Sequence, residues 1–570
     1  MAKISYDVLL VGGGVASLSA AHALVDAAIR ENAPLRLAVL EKGKDFGAHV
    51  LSGAVSNPRS IKKLFPDYET NGFPLEGKCA ESHVTLLGLK NAWDLPSFAS
   101  PELNKVGYLI LSLGDVCKWM ASSLTQKAKD RASIVVDLFT GFGAQEIIYE
   151  EGRVVGVRVD STGVAENDVC HAKVTVFGDK GFLSKDLVKK FNLAPNPQAW
   201  AVGVKEIWET ERDYSGRVWH TMGFPLLGGN TGGGFIYGLK DKKLALGMAV
   251  GLDSENPALR PPQMLQDFKK HPLVQEMIRG GRIARYGAAL IPEGGYYSLP
   301  TQFAVDGAVL IGDAAGVMDL KGFSGADKAM ETGMLAGEVV FDAIRKGDFS
   351  TKTLGQLRHA VMGGWIGREL TSSRYYLQAF KANKELFSKH LPRVVKGLDG
   401  SGVAAGAAAA FLGDPFGLVG SAVKTKIMMA GTVDFGAVKR KEDRLHSKPD
   451  YKANPKEEPA GYAKNTVYST ADVVFYASTH YHHGNNHITE FDAAVCKRCI
   501  ALYGGGGNDV PCAGDCTAEV HETRTKDGVK YHFMNLENCV QCRTCELVCP
   551  YENLRVNPAE HGSGPDFSSM

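Results

Sequence analysis

Near its N-terminal end the chain combines short apolar runs with turns of small residues. The run Tyr6 to Val11 is apolar and partly β-branched, the segment Gly12 to Ser17 follows at once, and an alanine-rich stretch continues to about Ala28. This pattern predicts a strand, a tight turn and a helix. A second apolar run, Leu35 to Leu40, predicts the next strand, which ends at Glu41.

This strand, turn and helix have the form of a dinucleotide-binding fingerprint. Gly12 lets the chain turn sharply, Gly14 lets the backbone approach a pyrophosphate, and the positive end of the new helix stabilises its charge. Ser17 replaces the usual third glycine and is small enough for close helix packing. Glu41 is placed to accept both ribose hydroxyls of an adenosine, which an ordinary glycine turn beside a solvated glutamate does not explain. The predicted cofactor contacts are Gly12, Gly13, Gly14, Val15, Ala16, Ser17 and Glu41.

A strand far downstream indicates which dinucleotide is bound. Ala308 to Ile311 is apolar and leads into Gly312, Asp313 and a small-residue helix start, which resembles the second fingerprint of glutathione-reductase-type FAD proteins. In that fingerprint the aspartate holds the ribityl chain and a helix N-terminus faces the flavin. Gly232 to Gly234 lacks the strand and acid context of a nicotinamide site. We therefore expect FAD, and no hydride arriving from NADH.

The cysteines form a second pattern. Eight of the 11 lie between Cys496 and the last residue, and the run ending in Cys549-Pro550 has the C-x2-C-x2-C-x3-C-P spacing of a bacterial-type ferredoxin. The fourth thiolate of such a run reaches a different cluster, so each cluster needs a donor from elsewhere. An upstream half-motif, stretched by the insertion Gly504 to Gly507, supplies the donors. The predicted sets are Cys516, Cys539, Cys542 and Cys545 for one 4Fe-4S cluster, and Cys496, Cys499, Cys512 and Cys549 for a second.

Structural zinc is the main alternative, because four thiolates at C-x2-C spacing also close a tetrahedron. The third cysteine at this spacing and the trailing Cys549-Pro550 argue against it. The second cluster rests on the interrupted half-motif, in which Thr517 follows Cys516 where proline is usual. Disulfides are not expected, because nothing at the N-terminus resembles a secretory signal. The histidines between His480 and His487 are interpreted as a solvated loop.

Composition adds little about partners. The 570 residues are 44% hydrophobic with a formal net charge of +1, which fits a globular chain of several domains and gives no reason to expect nucleic acid. No window has the 18 apolar residues that a spanning helix needs. The apolar stretches 106–120 and 403–419 could lie in a membrane surface, although burial in a core is the commoner explanation of such stretches.

Longer segments resemble one family, electron transfer flavoprotein:quinone oxidoreductase, as a FixC-like flavoprotein fused to a FixX-like ferredoxin. The resemblance covers about residues 1–345 and 465–560 and is thin between 350 and 460. It rests on the fingerprints, the cysteine tail and the segments 41–42, 47–54, 172–177, 187–193, 204–208, 220–225, 249–253, 286–288, 293–295, 321–322 and 329–336. Three departures are Gly178-Asp179, where relatives have Glu-Gly; Gly312-Asp313, where mitochondrial relatives have Gly-Cys; and the second cysteine set, which those relatives lack.

The resemblance implies an α/β fold class with three parts. A glutathione-reductase-type FAD-binding domain covers 1–85, 120–200 and 300–345. An inserted mixed α+β quinone-binding and membrane-contacting region covers 86–119, 201–299 and 346–438. A linker at 439–465 leads to a C-terminal ferredoxin-like α+β domain at 466–570.

The resemblance also implies a monotopic enzyme on the cytoplasmic face of the inner cell membrane. It passes electrons from reduced electron transfer flavoprotein through 4Fe-4S and FAD to ubiquinone or menaquinone, and needs no catalytic side chain. Lys42, Ser52, Gly53 and Gly325 join the expected FAD contacts. The backbone of Gly232 and Gly233 would meet a quinone carbonyl, where amide donors stabilise negative charge. The stretches 106–120 and 400–430 become membrane-facing candidates.

Three other activities fit the same residues. A fused chain of this kind could serve an electron-bifurcating flavoprotein complex. An FAD-dependent reductase of prenyl chains has a similar FAD domain. A passive carrier would move electrons between proteins and reduce no small molecule.

Overall fold

The computed structural model describes residues 5–53, 55–97, 100–160, 169–226, 231–252, 259–376, 459, 461–482, 486–503 and 510–570. The apolar stretch 403–419, the glycine insertion 504–507 and most of the linker 439–465 lie outside these residues.

Twenty-two strands are described in these ranges. They are β1 Ser5–Val11, β2 Leu35–Glu41, β3 Val55–Ser56, β4 Leu75–Lys78, β5 Glu81–Leu87, β6 Ala92–Asp94, β7 Leu109–Leu111, β8 Ile134–Thr140, β9 Gly143–Glu150, β10 Arg153–Asp160, β11 Val169–Phe177, β12 Trp200–Glu209, β13 Arg217–Gly223, β14 Gly232–Leu239, β15 Lys243–Gly251, β16 Arg282–Pro292, β17 Ala304–Val305, β18 Ala308–Leu310, β19 Ile488–Glu490, β20 His521–Lys526, β21 Val529–Met534 and β22 Leu554–Val556.

The described ranges also contain fourteen α-helices. They are α1 Val15–Arg30, α2 Arg59–Leu64, α3 Leu113–Ala128, α4 Ser184–Lys190, α5 Pro261–Lys269, α6 Pro272–Ile278, α7 Ala326–Lys346, α8 Thr351–Leu354, α9 Gln356–Gly363, α10 Trp365–Ser372, α11 Thr470–Val474, α12 Ala493–Tyr503, α13 Pro511–Gly514 and α14 Thr544–Val548. In these ranges no helix is both long enough and apolar enough to cross a bilayer.

The first sheet is built mainly on parallel strands. Its order is β17-β18-β11-β1-β2-β8, with β10 pairing β11 and β9. The pairs β1–β11, β1–β2, β2–β8 and β11–β18 are all parallel. Helices α1 and α7 pack closely because small residues meet: a Cβ on Gly337 would lie 2.6 Å from Cβ of Ala23. This closeness brings the start of α7 to the strand ends where α1 begins.

The second sheet has seven strands in the order β16-β12-β15-β14-β13-β5-β6. Its neighbours are antiparallel except for β13 and β5, which run parallel. Helix α5 covers one face with Met264, Leu265 and Phe268, all buried. The C-terminal part of the chain, residues 466–570, is called the cysteine unit and contains the small sheets β19–β22 and β20–β21. It shares one hydrophobic cluster with the seven-stranded sheet.

Two segments assigned to the quinone-binding region belong to the flavin core instead. Val116 and Cys117 of α3 are fully buried in the core of the first sheet, and so are Leu354 and Leu357 beyond residue 346. The expectation that 106–120 faces a membrane is therefore wrong for the buried strand β7 and for the apolar face of α3. In that stretch Val106 remains strongly exposed.

Candidate functional site

The glycine turn at the end of β1 is shaped for an anion. Gly12 has φ +94°, and a Cβ there would lie 2.9 Å from the carbonyl oxygen of Gly178. Gly14 is the N-cap of α1 and carries no side-chain cap, while a Cβ built on it would meet nothing within 4 Å. The positive end of α1 therefore opens onto free space, as pyrophosphate binding requires.

Glu41 is fixed at the end of β2. Its carboxylate accepts N–H groups from Gly13 at 2.9 Å and Gly43 at 2.7 Å. Burial raises the pKa of Glu41, and the hydrogen bonds and Lys42 oppose that rise. Two backbone donors thus hold this carboxylate at the cavity wall where an adenosine ribose would need it.

The second fingerprint lies at the same place. Asp313 follows β18 in a short 3₁₀ turn, and its carboxylate is 3.7 Å from Nζ of Lys180. Gly325 is the N-cap of α7 and has no side-chain cap. Two helix N-termini, those of α1 and α7, therefore border one space.

That space is a single cavity of about 690 Å³. Eleven of the 13 predicted FAD contacts line it, together with Gly232 and Gly233 of β14 and Cys542 of the cysteine unit. The sequence placed these residues in three separate domains. Their convergence on one cavity is the central feature of the structure.

Two predicted FAD contacts lie elsewhere. Gly312 donates its N–H to Oγ1 of Thr332 at 3.0 Å, and a Cβ there would lie 2.9 Å from Cβ of Ala16. The Ser17 side chain is fully buried against Gly178, where a Cβ would overlap its hydroxyl. Ser17 and Gly178 are therefore a packing pair. This pairing gives the departure Gly178-Asp179 a physical reason.

Asp179 has a local role as well. Its carboxylate accepts N–H groups from Leu183 and from Ser184, the first residue of α4, the latter at 2.9 Å. The departure from the family pattern thus stabilises the start of α4.

The glycines of β14 form a bare stretch of backbone in the cavity wall. Gly232 has φ +139°, and a Cβ on Gly233 would lie 2.7 Å from the carbonyl oxygen of Thr221. Pairing with β13 ends at Thr221 and Gly234, so both glycines extend past it. A side chain does not fit here, and a ligand in the cavity would meet the peptide groups.

The first cysteine set converges beside the cavity. Burial raises the pKa of Cys516, Cys539 and Cys545, and the nearby Cys542 adds to the rise in all three. Backbone N–H groups of Val520 and Gln541 donate to the sulfurs of Cys516 and Cys539, both at 3.3 Å. Such donors are typical of cluster sites, where they tune the potential.

The second set converges next to the first and away from the cavity. Burial raises the pKa of Cys512, and Cys499, Cys549 and Cys496 of its own set and Cys516 of the first set add to the rise. Asn553 donates to Sγ of Cys549 through its backbone at 3.3 Å and to Sγ of Cys496 through its side chain at 3.2 Å. None of these four cysteines lines the cavity.

The spacing of the sulfurs fits clusters better than zinc. Four thiolates on one zinc ion lie about 3.8 Å apart, given a Zn–S distance of about 2.3 Å. Among the described residues, the groups of three ligand atoms within 4.8 Å are Cys512–His521–His532 and Glu490–Cys496–His532, each with a single cysteine. Burial raises the pKa of Cys512 and Cys545 well above the usual value, so a metal centre is needed to hold them as thiolates.

Contacts that the sequence did not reveal join the cysteine unit to the flavin side. Lys42 donates to the side-chain oxygen of Gln541, and its Nζ lies 4.2 Å from the ring centre of Phe182. Arg543 donates to the carbonyl of Lys180 at 3.1 Å. Burial lowers the pKa of Lys42 to about 8. The expected FAD contact Lys42 thus also touches the loop between Cys539 and Cys542.

Ion pairs strengthen this junction. Lys185 lies 2.5 Å from Glu546, and Arg555 lies 2.6 Å from Asp186. Burial alone would raise the pKa of Glu546, but Arg543 and Lys185 hold it at about 2.

The last residues of the chain also fold back onto the flavin side. Phe567 is 2% exposed, its N–H donates to the carbonyl of Ala48 at 2.7 Å, and a Cβ on Gly287 would lie 2.9 Å from its ring. His487 is buried and stacks on Tyr481 with ring centres 4.5 Å apart, so the solvated-loop interpretation is wrong for it. Neither Phe567 nor His487 lies in a sequence pattern that would have predicted its burial.

Comparison with known proteins agrees with this geometry. Residues 200–291 match the family model "ETF-QO, ubiquinone-binding", and residues 464–568 match "Electron transfer flavoprotein-ubiquinone oxidoreductase, 4Fe-4S". A probable electron transfer flavoprotein-ubiquinone oxidoreductase of Acinetobacter baylyi is 32% identical over 100% of this chain and 99% of its own. The mitochondrial enzyme of Sus scrofa is 30% identical over 99% of this chain and 89% of its own.

A solved structure supports the fold. The geranylgeranyl bacteriochlorophyll reductase-like protein of Thermoplasma acidophilum has a TM-score of 0.55 at 16% identity, over 74% of this chain and 100% of its own. At that identity the likeness concerns the fold alone.

The parallel sheet, the two fingerprints and the cysteine tail define a flavoprotein fused to a ferredoxin-type iron-sulfur unit. By full-length similarity, the chain belongs to the electron transfer flavoprotein-ubiquinone oxidoreductase family.

Proposed function

We propose that this protein takes electrons from reduced electron transfer flavoprotein and delivers them to a quinone at the membrane surface, with 4Fe-4S clusters and FAD as the carriers. One observation carries the proposal. The cavity that holds the dinucleotide fingerprints also contains the bare glycines of β14 and a cysteine of the first set. The cysteines that would bind a cluster, the FAD site and the quinone site therefore border one cavity, and electrons need not cross a long stretch of protein between them.

The residues at the fingerprints fit FAD. The uncapped N-termini of α1 and α7 offer N–H groups to a pyrophosphate and to the polar edge of a flavin. Glu41 and Asp313 would accept hydrogen bonds from the ribose and the ribityl chain. Bound FAD would supply a carrier able to exchange one or two electrons. The protein contributes position and electrostatics and needs no nucleophile.

The quinone contact is assigned to Gly232 and Gly233. A peptide N–H at this stretch would stabilise negative charge that develops on a quinone oxygen. Because a Cβ on either residue would collide with the neighbouring backbone, the stretch must remain glycine. The finer division into an FAD-binding domain, an inserted quinone-binding domain and a ferredoxin-like domain is part of this proposal.

Membrane contact is assigned to apolar side chains near the cavity. Met222 and Phe323 line the cavity and are 38% and 52% exposed. Val106 belongs to the same region, because Lys105 donates to the carbonyl of Gly322 at 2.7 Å. A quinone with its apolar tail could enter past these side chains from the cytoplasmic leaflet.

An anaerobic assay with reduced electron transfer flavoprotein and a quinone tests the proposal. We expect quinol to form only when this protein, reduced electron transfer flavoprotein and the quinone are all present. If the protein does not reduce quinone in the presence of the reduced donor, the result would indicate a passive electron carrier. A saturated isoprenoid product would indicate a prenyl reductase, and quinol formation only with coupled reduction of a second acceptor would indicate a bifurcating complex.

A further inference from the structure

Glu293 is an isolated carboxyl group in the wall of the shared cavity. It follows the last residue of β16, Pro292, at the junction between the second sheet and the flavin domain. Its side chain lines the cavity, and the residue is 7% exposed. Its backbone N–H donates a hydrogen bond to the carbonyl of Ala199 at 2.7 Å. Within the described residues, no hydrogen bond or ion pair is found for its carboxyl group.

The polar side chains nearest along the chain have other partners. Gln198 accepts the N–H of Gly294 at 2.6 Å, and Ser298 donates to the carbonyl of Pro197 at 2.9 Å. Charged groups elsewhere in the cavity are paired: Lys180 lies 3.7 Å from Asp313, and Lys321 pairs with Glu102. Nε2 of His220 lies 3.3 Å from the hydroxyl of Tyr237, and its Nδ1 has no hydrogen-bond partner among the described residues. Burying a carboxyl group without a partner is costly, so the residue calls for a functional reason.

We propose that Glu293 is the proton donor for quinone reduction, an inference that rests on the function proposed above. Conversion of a quinone to a quinol takes up two electrons and two protons. The electrons come from the reduced flavoprotein donor. In the transfer assigned to Glu293, the O–H bond of its carboxylic acid breaks, an O–H bond forms on one quinone oxygen, and the carboxylate takes a new proton from water. The other quinone oxygen takes its proton from water.

The chemistry of the site suits this role. Burial raises the pKa of Glu293 to about 7, and no neighbouring charge contributes to that rise. A donor is most effective when its pKa lies near the working pH. Below pH 7 the acid is mostly protonated, and as the pH rises through 7 the proton is lost. Quinone reduction should therefore slow along the alkaline limb of its pH profile.

The test compares two electron acceptors in the holoenzyme. Glu293→Gln keeps size and polarity but cannot give up a proton, so we expect donor-driven quinol formation to fall about 10²-fold or more. Reduction of ferricenium, which takes one electron and no proton, should keep its wild-type rate. The alkaline limb near pH 7 should disappear from the residual quinone activity. Glu293→Asp should recover part of the quinone activity.

Controls separate this role from others. Glu209→Gln on the neighbouring strand β12 changes an exposed carboxylate that pairs with Arg282 at 2.6 Å, and should leave both acceptor activities unchanged. Unchanged quinone reduction and pH profile in Glu293→Gln would overturn the proposal. An equal loss with both acceptors, or a shifted flavin potential, would also overturn it and make Glu293 a flavin contact. Failure of the wild-type protein to reduce quinone would instead reject the proposed function.

Discussion

At the residue scale, the absence of a side chain at Gly14 matters for binding the cofactor and not for folding. Its φ is −78°, and a Cβ there would meet no protein atom within 4 Å. Gly14→Ala should therefore leave the stability of the cofactor-free protein within about 1 kcal/mol of wild type. Since the methyl group would point into the space for the pyrophosphate, FAD affinity should fall at least about tenfold, close to 1.4 kcal/mol.

The measurement is the flavin-to-protein ratio after dialysis, with thermal unfolding of the cofactor-free protein alongside. Gly77→Ala is the matched control, because a Cβ there also meets nothing within 4 Å and the residue lies outside the cavity. Full flavin content in Gly14→Ala would show that the pyrophosphate does not lie at the start of α1.

His22 makes a second residue-scale prediction. It is fully buried between α1 and α3, and its Nε2 lies 3.0 Å from the carbonyl oxygen of Met120. Burial, assisted by Lys127, lowers the pKa of His22 to about 3. Because the unfolded chain binds a proton at about pH 6.5 and the folded chain does not, stability falls as the pH drops below 6.5. His22 alone should lower the free energy of unfolding by about 2 kcal/mol between pH 7 and pH 5.

Urea unfolding at pH 7 and pH 5 tests this. His22→Gln keeps a donor and does not titrate, so its stability should fall by about 2 kcal/mol less than that of wild type over this interval. His359→Gln, at an exposed histidine on α9, should behave as wild type. Equal losses in wild type and His22→Gln would mean that the buried imidazole is protonated in the folded state.

At the element scale, the C-terminal segment closes the cavity from the side of the cysteine unit. Phe567 packs into the space beside Gly287, far from any residue near it in sequence. Phe567→Ala should destabilise the protein by about 3 kcal/mol through the cavity that it leaves. Carboxypeptidase digestion should then remove the last residues faster. Phe475→Ala, at a ring that is 83% exposed, is the control; equal digestion rates would contradict the packing role.

Elements also show which features the sequence can indicate and which it cannot. The glycine turn with Glu41 and the cysteine sets follow from short patterns, in which each residue's role depends on near neighbours. The contact between Lys42 and Gln541 joins positions 499 residues apart, and Glu293 gains meaning only from the cavity around it. The apolar residues of α3 were misassigned because burial in a core and contact with a membrane produce the same composition.

At the scale of the whole molecule, the two cysteine sets have an order. Cys542 of the first set lines the cavity, and none of the second set does. Cys496 is partly exposed on α12, whose outer face carries the exposed residues Lys497 and Arg498. A second cluster bound by this set would thus lie closer to the surface where a protein donor can approach. We expect it to receive electrons before the first cluster.

This order predicts a selective loss. Cys499→Ala should lower the iron content from about eight to about four atoms per chain without changing the flavin content. Quinol formation driven by reduced electron transfer flavoprotein should fall about tenfold or more, because the entry point is gone. Quinol formation driven by a small reductant that reaches the flavin directly should persist. Cys170→Ala, at a buried cysteine of β11 in the core of the first sheet, is the matched control. Unchanged donor-driven activity with only four irons would place electron entry at the first cluster, and unchanged iron would remove the second cluster altogether.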